Sequence, residues 1–230
     1  MTDIHDYCRA VEAHLCRRNE GHLIRVVGPA FEMVKGWGEM GVPLAIVCEG
    51  IDRTVTRAVK KGPRRRPLRL EFCEGDVLDG FDQWRRAVGV AAADEPVVPG
   101  PKRGTLAAHV DRVVAQLSTL RGSDRAPEAL QPAIRDLVLA VDRLRADSVA
   151  ARGAAREAVI AALAELDLRL VHAADAALPD DRRVAVGRDA DADLAPFRAR
   201  LDAAQWATAR AAARARLVRI ALSLPTVAFD

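Results

Sequence analysis

Little in this chain is equipped for covalent chemistry. Its four cysteines, Cys8, Cys16, Cys48 and Cys73, are scattered with no C-x-x-C pair, which excludes a disulfide framework and a redox dithiol motif. Its five histidines are equally dispersed. Cys8, His14, Cys16 and His22 supply the ligand types of a structural zinc site, but on a helix positions 14 and 16 point roughly 200° apart. No G-x-G-x-x-G, G-x-x-x-x-G-K-[ST], G-x-S-x-G or H-E-x-x-H occurs, which removes the usual nucleotide, hydrolase and zinc-protease signatures. Ser118, Ser123, Ser148 and Ser223 have no histidine at suggestive spacing. The resulting expectation is a non-enzymatic protein without cofactor or metal.

Long uncharged runs are missing too, so no membrane span is expected. Ile4 is followed at once by His5, Asp6 and Arg9, unlike a secretory leader. A reduced, cytoplasmic protein with cysteines as small core residues is the reading. Aromatics are scarce, and six of the nine (Tyr7, Phe31, Trp37, Phe72, Phe81, Trp84) fall before residue 90. Two cores of different character follow, one aromatic and one of Ala, Leu and Val.

Helical periodicity fills most of what remains. Ile4, Tyr7, Cys8, Val11 and Leu15 predict a first helix from about Asp3 to Arg18. Pro29 opens a second, to Met40, with Phe31, Val34 and Trp37 inward. A third begins at Val42-Pro43, carries the stripe Leu44, Val47, Cys48, Ile51, Val55, Ala58 and Val59, and stops at Gly62-Pro63. A fourth runs from about Leu70 to Val88 with Cys73, Val77, Phe81, Trp84 and Val88 inward. Gly89 to Gly104 has three prolines and no periodicity, marking a linker. Beyond it lie the seams Leu106–Leu120, Leu130–Leu144 and Val159–Leu170, then a polar stretch, Asp180–Asp193, read as loop. A last long helix is expected from Leu194 to Leu222. The fold class is all-α: a compact N-terminal domain (1–88), a Pro/Gly-rich linker (89–104), and a longer Ala-rich bundle (105–230) with a short tail.

Charge is nearly balanced at +3, so any polyanion site must come from local clustering. One cluster qualifies. Arg53, Arg57, Lys60, Lys61, Arg64, Arg65, Arg66 and Arg69 occur without an intervening acid, followed by Glu71, Glu74, Asp76, Asp79 and Asp82. Helix macrodipoles account for Lys60, Lys61, Glu71 and Glu74. They do not account for three arginines lying beyond a helix end, and a phosphate-gripping loop is the functional reading. Asp189, Asp191 and Asp193 resemble the start of a calcium loop, but Leu194 stands where glycine is needed and Arg200 where glutamate is needed. Asp193 reads instead as the cap of the final helix. In the tail, Val227 and Phe229 either fold back or offer a partner-binding anchor.

The order of a helix ending in tryptophan, G-V-P-L-x-x-V-x-x-x-I-D-R, a basic loop, an aromatic-Cys pair and a closing tryptophan helix resembles the small helical domain of DnaD-type replication-initiation proteins. It is similar as well to uncharacterised helical proteins of GC-rich bacteria. Phe72, Val77, Phe81 and Trp84 fill the family's aromatic and aliphatic positions, with one extra turn between the first and the last. The resemblance covers about residues 29–87 and implies DNA association and contact with a helicase or its loader. The expected function is thus a nucleic-acid-associated accessory protein, with DNA held through backbone phosphates. The alternative is a helical scaffold whose long helices meet a protein partner or a second copy.

Overall fold

A computed structural model describes residues 3–20, 22–60, 67–90, 105–123 and 126–229. Among them the fold is all-α, with nine α-helices and no strand. The chain divides into two compact units, one of Met1–Glu95 with Asp191–Ala212, the other of Pro96–Ala190 with Ala213–Asp230.

The first unit begins with α1 (Ile4–Arg18), whose Asp3 caps it by accepting from the His5 N–H. Helix α2 (Pro29–Glu39) follows, with Pro29 in its first turn as expected. Helix α3 (Leu44–Lys60) and α4 (Glu74–Ala87) come next, α4 preceded by a 3₁₀ turn at Leu70–Phe72. Tyr7, Val11 and Leu15 from α1, Val34 and Trp37 from α2, Ile46, Val47 and Ile51 from α3, and Val77, Phe81 and Trp84 from α4 are all buried. Phe197, in a 3₁₀ stretch at Ala195–Arg200, completes this aromatic core with ring centroids 5.6 Å from Trp84 and 6.3 Å from Phe81.

Here the structure corrects the stripe expected on α3. Val59 is 57% exposed and Val55 only half-buried, whereas Gly50 and Thr54 are buried. The reason is packing distance: α4 approaches so closely at Gly50 that a side chain there has no room. Phe72, expected in the DnaD-like aromatic set, is 67% exposed, because the 3₁₀ turn points Leu70 and Cys73 inward instead.

The second unit contains α5 (Leu106–Arg121), α6 (Gln131–Ala150) and α7 (Gly153–Ala177), with α6 packed against both neighbours. The three seams read from the sequence are its core: Val110, Leu117, Leu130, Ile134, Val141, Leu163 and Leu170 are buried. The expected loop at Asp180–Asp193 is a helix, α8 (Asp180–Leu194). Its buried residues include Val186, Ala190 and Leu194, a stripe too thin to stand out beside eight charged residues. Asp193 therefore lies inside α8 and not at the start of the final helix. The final helix, α9, spans Ala203–Leu222 and not the 29 residues expected. It starts at a reciprocal cap, in which the Gln205 N–H donates to Asp202 and the Asp202 N–H donates to Gln205, at 2.8 and 3.0 Å.

Residues Asp191–Ala212 fall in the first unit, so a single bundle over 105–230 is not what the chain forms. Phe197, the bulkiest apolar side chain in that stretch to be buried, finds its aromatic partners at residues 81 and 84. Of the expected linker, residues 91–104 lie outside the described ones.

Candidate nucleic-acid interface

The candidate surface is the outer face of α3. Its inner face is fixed by burial, and two ion-pair clusters at its flanks hold it against α1 and α4. On the α1 side, Asp52 accepts from Arg18 Nε and Nη2, each at 2.5 Å, and from His14 Nε2 at 2.7 Å. Arg17 Nη2 lies 3.5 Å from His14 Nδ1, so one imidazole tautomer, protonated on Nε2, serves both contacts. Partial burial works against the Asp52 charge, but the Arg18 and His14 hydrogen bonds overcome it and hold the carboxyl below its ordinary range.

On the α4 side, Arg57 donates from both terminal nitrogens to Asp76, at 3.1 and 2.5 Å. The buried Thr54 hydroxyl donates to the same carboxylate, which fixes its orientation. At the far end, buried Asn19 donates to the Leu68 carbonyl at 3.1 Å and accepts from its N–H at 2.7 Å. That clamp ties the segment after the basic run to the C-terminal end of α1.

Between these flanks, Arg53, Arg57 and Lys60 line an open groove of about 570 Å³ together with Glu49, Asp52 and Thr56. The eight cations named from the sequence separate here into three groups. Arg53 and Lys60 are exposed and form no ion pair among the described residues. Arg57 and Arg69 are engaged, Arg57 with Asp76 and Arg69 with Glu71 at 3.0 Å. Lys61, Arg64, Arg65 and Arg66 lie outside the described residues. The sequence did not mark Asp52, Asp76 and Thr54 as belonging to this surface. The basic run shows which side chains are cationic, and only the helix packing shows which of them are neutralised.

The partner-binding alternative for Val227 and Phe229 does not match the observed tail. Val227 is fully buried in the second unit's core, its N–H donating to Asp167 at 2.7 Å and its carbonyl accepting from His109 Nε2 at 2.9 Å. Phe229 meets the His109 ring edge-on at 5.2 Å, with the Arg156 guanidinium 5.5 Å from its centroid. Apolar side chains and a buried carboxylate together hold the tail down.

Among the described residues no group of three or more His, Cys, Asp or Glu side chains is placed to hold a metal, and no helix is long and apolar enough to cross a membrane. All four cysteines are free thiols. Comparison with known proteins gives no match, whether to a family model, a curated protein or a solved structure.

Proposed function

We propose that this protein is a nucleic-acid-associated accessory protein that holds DNA through backbone phosphates at the C-terminal half of α3. The reading is carried by one observation: Arg53 and Lys60 share an exposed helical face, with Thr56 beside them, and neither forms an ion pair among the described residues. A phosphate arriving there meets two cations that need not first give up a carboxylate. In the sequence Lys60 is followed by four further cations, Lys61 and Arg64–Arg66. Arg57 contributes less, because Asp76 already neutralises it. The DnaD-like order of residues 29–87 supports a place in replication initiation or helicase loading.

Fluorescence anisotropy with labelled single-stranded and duplex DNA over a salt series tests this. Replacing Arg53 and Lys60 with alanine, and separately Arg64, Arg65 and Arg66, is expected to weaken binding. On duplex the slope of log K against log salt should flatten by about 0.9 per phosphate contact removed. Wild-type binding that neither set alters would sink the proposal.

A further inference from the structure

We infer that α6 and α7 of the second unit present a self-complementary surface that a second copy of this chain covers. The two helices are joined by two residues and packed on each other, so they run antiparallel. Between them lies an open groove of about 450 Å³ with Ala133, Leu137 and Ala173 along it. Leu168 stands at its edge, 70% exposed, and leaves the groove unfilled.

The pattern around Leu168 is inverted for a helix that faces water. In Leu166-Asp167-Leu168 the carboxylate turns inward, 8% exposed, and the second leucine turns outward. An exposed leucine alone means little. Here, however, it borders a hollow lined by Ala133, Leu137, Ala173 and His172, with Asp136 on the α6 wall and Arg169 on the α7 wall. Knob and hollow on one face, with opposite charges on opposite walls, satisfy themselves under two-fold rotation. Each Leu168 enters the other copy's hollow, and each Asp136 then faces the other copy's Arg169. Asp136 has only a loose contact with Arg135 at 3.6 Å, and so is available for that pairing. Small side chains in the hollow allow close helix approach, and a charged rim around an apolar centre is ordinary interface anatomy. The groove shares no residue with the α3 face, so either reading can fail without the other.

Size-exclusion chromatography with light scattering on the full chain, across micromolar concentrations, decides the matter. A dimer is expected. Leu168→Glu should raise its dissociation constant roughly thirtyfold or more, as for a central anchor residue, with helical circular dichroism unchanged because the position is exposed in the single chain. Asp136→Arg alone and Arg169→Asp alone should each weaken the dimer, and the two together should restore it. A wild-type chain that stays monomeric overturns the inference. So does a dimer that Leu168→Glu leaves intact, or a double charge reversal no tighter than either single change.

Discussion

A methyl group placed on Gly50 would lie 2.8 Å from both the backbone nitrogen and the Cα of Val77. Helices α3 and α4 therefore meet at that point with no room for a side chain between their backbones. Gly50→Ala brings two opposed effects. Helix propensity gains about 1 kcal/mol, while overpacking against a backbone that cannot rotate away costs about 1–3 kcal/mol. The clash is with main-chain atoms, so net destabilisation is expected, read as a lower guanidinium midpoint. Gly80→Ala is the control. Its nearest neighbours would be Ile46 Cγ2 at 3.4 Å and Arg53 Nη1 at 3.7 Å, ordinary contacts, and it should be neutral or mildly stabilising.

The buried carboxylate of Asp167 supports the C-terminal tail. It accepts from the Arg219 guanidinium and from the Val227 N–H, while Arg219 donates to the Pro225 carbonyl at 3.2 Å. Asp167→Ala removes an ionic partner from inside the bundle and should cost about 3 kcal/mol. Deleting Thr226–Asp230 should itself destabilise, since it empties the space of a fully buried Val227. The two changes share one cluster, so the combined loss should be smaller than the sum, by about 0.5–3 kcal/mol in a double-mutant cycle. Strict additivity would show that the tail and the carboxylate act independently.

The long apolar seams were legible because they repeat large side chains at helical spacing: Val110, Leu117, Ile134, Val141, Leu163 and Leu170 all ended inside. Two things defeated that reading elsewhere. Where helices meet through small residues, as at Gly50, Thr54 and Ala190, the contact face carries no hydrophobic signal, so α3 was rotated and α8 missed. The start of α9 was overlooked for a different reason. Asp202-Ala203-Ala204-Gln205 is a capping box in plain view, but Leu194 and Phe197 before it kept the apolar pattern running and hid the break. At the candidate interface the cations were visible, whereas the neutralisation of Arg57 by Asp76 depends on which helix ends lie side by side.

Acid should loosen the α1–α3 contact in a defined direction. Asp52 is held below its ordinary range in the folded chain, so its contribution is fully present above the unfolded carboxylate value, about 4. That contribution is lost as pH falls through the lower folded value. The difference in unfolding free energy between wild type and Asp52→Asn should thus be steady near neutrality and shrink in acid. Arg18→Ala should follow the same course, because, against the burial that raises that carboxyl, the Arg18 hydrogen bond is the largest influence lowering it. A gap that widens on acidification would mean that Asp52 is not the titrating partner.

The thiols give the last prediction, and it bears on whether any of them can act as a nucleophile. Burial pushes Cys48 up to about 11, with the nearby Asp52 charge adding to it, and burial likewise takes Cys73 to about 11. From an ordinary value near 9, that leaves roughly a hundredfold less thiolate at pH 8. Native protein treated with iodoacetamide should label slowly at both positions, while all four cysteines react together once guanidinium unfolds the chain. Time-resolved mass spectrometry separates the sites. A reactive cysteine needs the opposite shift, toward a stabilised thiolate. Asp52 lies one turn along α3 from Cys48 and is hydrogen-bonded to His14, so the residue types of a thiol-imidazole-carboxylate set occur close together here. Rapid native labelling of Cys48 would show a thiolate stabilised beside that pair and reopen an enzymatic reading. Slow labelling leaves Cys48 and Cys73 as packing residues, and Asp52 as the counter-ion that fixes α3 against α1.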